Sequence, residues 1–358
     1  MTEEMHNRRF AIGALSGIAG VAALSRLAQA GPLNPPPGPI APTGRTVQEI
    51  YDKIARSEMG LAEPRIPVQS LPGSATALHV ISEPGSYYLT GNIQGVAGKN
   101  GIEITTNDVS LDLSAFLLRG APGSLAGIAA PSGVNAVQVL RGIIRGWGSH
   151  GVALTGGEAH LIQEVTTRDN QGHGFTGYGI LLARCVARDN RLEGFDIDGG
   201  IAMQCEALSN SGNGITMDQG TIAQCFAIGN GFAGLYSNGG TLIERSNAVQ
   251  NNVGIRVASG CVVRECAALD NFETGISLWD FCNQAIGNSV LGRSCGTEGR
   301  GIYVEDSGNN LVLANRVRAH VPYQIAPGNS HGPIVNVAGV GDITSVPNAN
   351  HPWANFIY

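Results

Sequence analysis

Lysine is almost missing from this chain: of 358 residues only Lys53 and Lys99 are lysines, the net charge is −6, and no basic cluster lies in its body. A nucleic-acid surface needs a basic stripe, so this balance argues against that class. No Cys-x-x-Cys pair and no Cys/His spacing marks a metal site. The seven cysteines, an odd number, argue against a disulfide framework. The apolar run from Phe10 to Leu24 is too short and too Gly-rich for a stable membrane anchor. Regular leucine columns, the mark of leucine-rich repeats, are also missing.

Glycine is what the chain has in excess. Its 51 residues are about twice the average share and suit a fold that turns every few residues. A Gly followed by an apolar residue returns at Gly174, Gly194, Gly214, Gly234, Gly254 and Gly275. Asn170, Asn190, Asn210, Asn230, Asn251 and Asn271 keep the same beat, as do Cys185, Cys205, Cys225, Ser246 and Cys266. A fixed period of 20 to 21 residues marks a solenoid, because one unit cannot bury its own apolar face. Helix-pair repeats are longer, which leaves β-helical or leucine-rich coils. Each unit holds short apolar segments between Asn/Gly-rich turns, as in Ile222 to Ile228 and Gly234 to Tyr236. The columns hold Ile, Val, Ala, Cys and Phe rather than Leu. The reading is an all-β, right-handed parallel β-helix, with a leucine-rich solenoid as the minor alternative.

Around this block the chain divides into five stretches. Residues 1–30 read as an export signal: Arg8-Arg9, the apolar run, and Ala28-Gln29-Ala30 as a small-x-small cleavage site. The arginine pair resembles a twin-arginine signal, although Phe10 follows it directly, so a general secretory signal stays open. Either route places the mature protein outside the cytoplasm, with no membrane span once the signal is removed. Residues 31–45 are a Pro-rich linker. Residues 46–77 are a capping segment with a short helix, Thr46 to Ser57, whose Thr46 and Glu49 form a capping box. Residues 78–320 are the β-helix, interrupted by a loop over Gly292 to Gly299, and residues 321–358 are an irregular tail.

The columns carry expectations of their own. Each Asn amide should bond its equivalents above and below, and Asn tolerates a left-handed bend. Cys185, Cys205 and Cys225 should stack as buried free thiols. Ala187, Ala207, Ala227, Ala248 and Ala268 mark a tightly packed corner. Their neighbours Leu208, Ile228, Val249 and Leu269 cannot also face inward on a straight strand. Either the chain bends there, or an apolar outer stripe is covered by the tail or a second subunit.

The unit Asn210-Ser211-Gly212-Asn213-Gly214-Ile215-Thr216-Met217 resembles the parallel β-helix repeat of pectate lyase-like proteins, a superfamily that includes polygalacturonases and alginate-modifying enzymes. Glu83-Pro84-Gly85-Ser86-Tyr87-Tyr88-Leu89 is similar to the opening of such repeat regions. The resemblance runs from about Leu78 to Val317. It implies the fold and an exported setting and says little of activity, since one fold hosts many functions.

Strand alternation sends one column outward, Thr176, Asp196, Thr216, Tyr236, Arg256, Ser277 and Tyr303, and beside it Asp198, Asp218, Asn238, Ala258, Trp279 and Glu305. Carboxylates, an arginine and aromatics on one face are what an extended polysaccharide would use. Asp196, Asp198, Asp218 and Arg256 are the candidate catalytic residues, and Tyr236, Trp279, Tyr303 and Glu305 the candidate substrate contacts. Close carboxylates would serve acid/base hydrolysis, or a lyase reaction assisted by Ca2+ with Arg256 as base. Against this, Asp198, Asp218 and Asn238 share a turn position where Asp and Asn are favoured for backbone reasons alone. Gly172-His173-Gly174 resembles a short polygalacturonase motif, and Ser149-His150-Gly151 offers a second histidine, but both precede the acids and read as surface. Coils of 20 residues also leave little room for loops that would wall a cleft. The competing reading is therefore a non-catalytic structural or surface-interaction solenoid.

Overall fold

The computed structural model describes residues 64–293, 299–305 and 308–358. The expected export signal, the Pro-rich linker and the helix Thr46 to Ser57 lie outside these residues. Strand pairing throughout is parallel and links each strand to its counterpart one coil on. Every coil is three-sided. In one coil the strand Ile215–Ala223 supplies the first two faces and Phe226–Ile228 the third. The strand Phe195–Met203 lies below it and Ala233–Gly239 above, in register Phe195↔Ile215↔Leu235.

The bends come from residues that a sequence pattern does not flag. The residue before each Cys-column position has positive φ: Arg184 (53°), Gln204 (55°), Gln224 (55°), Arg245 (47°) and Glu265 (54°). So does the residue before each Asn, from Asp169 (57°) and Asp189 (54°) to Gln250 (54°) and Asp270 (53°). The column Asn residues themselves do not, so the left-handed bend expected of Asn falls one residue earlier. With both ends of the third face turned, only the middle residue of each short strand points inward. Ala187, Ala207, Ala227 and Ala248 are fully buried, while Ile228 is 36% exposed. The first half of the expected alternative therefore holds: the chain bends, and the neighbours of the buried alanines face outward.

The buried Asn column is a continuous ladder. Asn190 Nδ2 donates to Asn210 Oδ1 at 3.0 Å, Asn210 Nδ2 to Asn230 Oδ1 at 3.0 Å, and Asn230 Nδ2 to Asn251 Oδ1 at 3.0 Å. The second proton of Asn210 Nδ2 goes to the Ala187 carbonyl at 3.0 Å, and its backbone N–H donates to Asn230 Oδ1 at 3.0 Å. Each bond contributes about 0.5–1.5 kcal/mol, and a buried amide left without one costs about 1–3 kcal/mol. The ladder explains the glycines as well. A Cβ on Gly214 would lie 2.5 Å from the Gly234 carbonyl oxygen and 2.7 Å from Asn230 Nδ2. Only glycine lets the coils approach that closely.

The thiols of Cys185, Cys205, Cys225, Cys261 and Cys266 are free and buried. Cys185 Sγ donates to the Ile162 carbonyl at 3.3 Å, and burial pushes the Cys266 thiol up to about 12. Toward the C-terminus the Cys corner becomes a second amide ladder: Cys266 N–H donates to Asn288 Oδ1, and Asn288 Nδ2 and Asn315 Nδ2 each donate to the next Asn at 3.0 Å, ending at Asn355.

The stack is longer than the expected 78–320. Ile66–Pro67 already pairs with Gly85–Tyr88, ahead of Leu78. At the other end Val321–Ile325, Ser330–His331 and Asn355–Ile357 continue the first, second and third faces. Pro322 is tolerated because this is the terminal strand, where a missing N–H breaks no further ladder. Two segments of the tail thus complete a coil, and the insertion between His331 and Asn355 hides its period.

Candidate functional site

The first face places the expected outward column in register, Thr176↔Asp196↔Thr216↔Tyr236↔Arg256↔Ser277↔Tyr303. Neighbouring strands are ~4.8 Å apart, so Asp196 and Arg256, three coils apart, are ~14 Å distant and cannot act on one atom. The Arg256 guanidinium instead lies 3.7 Å over the Trp279 ring, whose Nε1 donates to Ser277 Oγ at 2.7 Å. Tyr178, Asp198 and Asp218 are paired in register beside the first column. Asp218 is used internally: its oxygens accept from the Asn238 backbone N–H at 2.6 Å and from Asn238 Nδ2 at 3.0 Å. The Tyr236 hydroxyl donates to Asn238 Oδ1 at 2.5 Å, which ties the two columns together. Tyr303 is covered by Arg300, 4.7 Å from its ring centre, and Glu305 lies just past the end of the same strand, Arg300–Val304.

The histidines read as surface form the densest titratable cluster on this face. His150, His173 and Glu193 each precede the glycine of successive coils, so 20-odd residues of separation fold into direct contact. The His150 and His173 rings stack at 5.1 Å with a 6° interplanar angle. His150 Nδ1 accepts from the His173 backbone N–H at 3.1 Å, which assigns its proton to Nε2 while the ring is neutral. Burial, and secondarily the neighbouring His173, pushes His150 below the ordinary histidine range. Gly172 makes the stack possible, since a Cβ there would meet His150 Nδ1 at 2.7 Å. That glycine was the available sequence signal for the packing.

His173 lies between two carboxylates. Its Nδ1 is 2.9 Å from Glu193 Oε2, too far off line for a hydrogen bond, and no other group bonds that buried nitrogen. This close side-chain contact with His173 holds the Glu193 carboxyl below its usual range. On the other side, His173 Nε2 is 3.6 Å from Asp196 Oδ2, to which Thr176 Oγ1 also donates at 3.5 Å. Burial raises Asp196 against the opposing pull of His173, and Glu193 and Asp198 add to the rise. Two carboxyls pushed in opposite directions around one imidazole are a common mark of acid/base chemistry. Asp196 is thus the expected site residue that the fold joins to new partners.

Among the described residues no three His, Cys, Asp or Glu side chains are grouped to hold a metal ion. Asp198 and Asp218 make only a pair, and Asp218 is already bonded to Asn238.

The fold and this face define a right-handed parallel β-helix, the fold of pectate lyase-like proteins. No protein-family model and no curated protein matches the chain. Among solved structures it is similar to the A-module of mannuronan C-5 epimerase AlgE4 from Azotobacter vinelandii, at 17% identity and a TM-score of 0.52, over 74% of this chain and 99% of that one. The periplasmic alginate epimerase AlgG matches at 12% identity and 0.52, over 92% and 98%. The catalytic domain of a GH87 α-1,3-glucanase in complex with nigerose matches at 10% and 0.52, over 80% and 70%. At such identities the likeness concerns the fold.

Proposed function

We propose that this chain is an exported protein that binds an extended polysaccharide along the first face and processes it by proton transfer at His173 and Asp196. The observation that carries the reading is the in-register outward column from Thr176 to Tyr303, which repeats hydroxyl, carboxylate, aromatic and guanidinium groups at the strand spacing. Two epimerases of alginate and a glucanase with the same fold support a carbohydrate ligand, and the N-terminal signal features support export. In this scheme Glu193 orients the imidazole, Nε2 exchanges a proton with substrate or Asp196, and Asp196, whose proton affinity burial raises, supplies the acid. Calcium enters only as an ion shared between Asp198 and an acidic polymer.

A screen of neutral glucans and uronate polymers, with and without calcium, tests this reading by binding and by product analysis. Absence of both binding and turnover on every polymer rejects it. One observation favours a second reading, a non-catalytic surface module: between Phe175 and Leu269 the strands are joined by turns of two to six residues, which wall no cleft. Binding without turnover on any polymer selects that alternative.

A further inference from the structure

The outward groups of the first face change sign along its length. Glu193, Asp196, Asp198 and Asp218 occupy its earlier coils, whereas Arg256 and Arg300 occupy the later ones, with Glu273 and Glu305 beside them. At the later end the face opens into a depression of about 700 Å³ lined by Asn252, Phe272, Glu273, Arg300, His320 and Gln324. Four successive coils build it, at the register position Val253↔Thr274↔Arg300↔Val321 that opens each first-face strand. Glu193 occupies the same position three coils before Val253 and five before Arg300, ~14 Å and ~24 Å away at the strand spacing. The depression is therefore separate from the His173 cluster.

Its lining combines three kinds of group. Phe272 is 53% exposed, with the Arg293 guanidinium 4.3 Å from its ring centre. With the cation over one face of the ring, the exposed remainder offers apolar contact to the C–H face of a sugar and the cation offers a partner for an acid substituent. Arg300 stacks on Tyr303 at 4.7 Å, which fixes the planar fork while leaving its N–H groups to bind an anion. Asn252 Nδ2 donates to Glu273 Oε2 at 3.4 Å, so the one carboxylate in the lining is held by an amide, and the amide of Gln324 is exposed beside it.

We propose that this depression is an anchoring subsite for an anionic sugar, a ring bearing a carboxylate or a sulfate, which Arg300 binds through the charge and Phe272 through the ring face. The proposal rests on the polysaccharide reading above and deepens it. The acidic end of the face repels such a ring and the Arg300 end attracts it, so the pair of ends sets which part of a mixed polymer lies over His173.

The test uses the full chain and calorimetric titration with three oligosaccharides of matched length: an oligouronate, a sulfated oligosaccharide and a neutral oligoglucan. Arg300→Gln is expected to weaken binding of the anionic ligand roughly tenfold, about 1.4 kcal/mol, and to leave neutral binding unchanged. Phe272→Ala is expected to weaken both. Arg300→Lys, which keeps the charge and loses the fork, should fall between wild type and Arg300→Gln, and added salt should narrow the difference. The ligand that responds, uronate or sulfate, identifies the source of the charge. Anionic binding by wild type that Arg300→Gln leaves intact overturns the inference alone. Failure of wild type to bind any of the three overturns it together with the polysaccharide reading.

Discussion

The earlier and later ends of the first face share one parallel register and differ in what it displays. At the earlier end His150, His173, Glu193 and Asp196 are packed until their proton affinities diverge. At the later end each arginine lies on an aromatic ring and the carboxylates are few. A solenoid fixes position so uniformly that chemistry is chosen by residue type alone. In the proposed reading the earlier end exchanges protons and the later end holds charge.

The largest expected effect separates these two ends. Asp196→Asn should lower turnover of a responsive polymer by about a hundredfold or more, the usual weight of a general acid or base. Arg256→Ala, ~14 Å away by strand spacing, should weaken binding and leave the bound complex turning over. Product analysis under saturating polymer distinguishes them. Equal loss of turnover in both would merge the two ends into one site.

Next comes the scaffold that both ends share. Asn210→Ala removes an amide bonded to Ala187, Asn190 and Asn230. It should cost about 2–4 kcal/mol, since partners are left buried and unbonded. Thr216→Ala on the outer surface should stay within about 0.5 kcal/mol. Chemical denaturation measures both, and a silent Asn210→Ala would remove the ladder from the account of stability.

The pH dependence of stability sharpens the earlier end. His150 and Glu193 are both lowered in the fold. Their stabilisation is present above their unfolded values, near 6.5 and 4.3, and is lost as pH falls through the folded ones. Asp196 is raised. Its ionisation opposes folding, so its contribution is fully present below its unfolded value, near 3.9, and is lost as pH rises through the folded one. Asp196→Asn should therefore raise the melting temperature slightly at neutral pH while removing activity, and His150→Gln should flatten the loss of stability below pH ~6.5. Thermal scans across pH report both signs. The smallest effect is expected at the thiols: with Cys185, Cys205, Cys225, Cys261 and Cys266 free and buried, a reductant should leave the melting temperature unchanged.

Much of this molecule can be read from spacing. The Gly, Asn and Cys beats place Thr176, Asp196, Thr216, Tyr236 and Arg256 in the register the strands adopt. The bends escape such reading because Arg184, Gln204 and Asp189 adopt left-handed backbone without being Gly or Asn. The last coil escapes it because an insertion separates Ser330–His331 from Asn355–Ile357. The His173 cluster was hidden by chain order. Histidines that precede the acids in sequence lie on them in space, since one coil step turns 20 residues into ~4.8 Å. Asp198 and Asp218 show the reverse case, prominent in sequence yet at least half occupied with turn chemistry, as the bonds from Asn238 to Asp218 demonstrate.

The most direct measurement is the turnover of one responsive polymer by wild type, His173→Ala and Asp196→Asn, with affinity determined in parallel. The account predicts that both variants keep binding, through the Arg300 end, and lose turnover. Full turnover in either variant would contradict it.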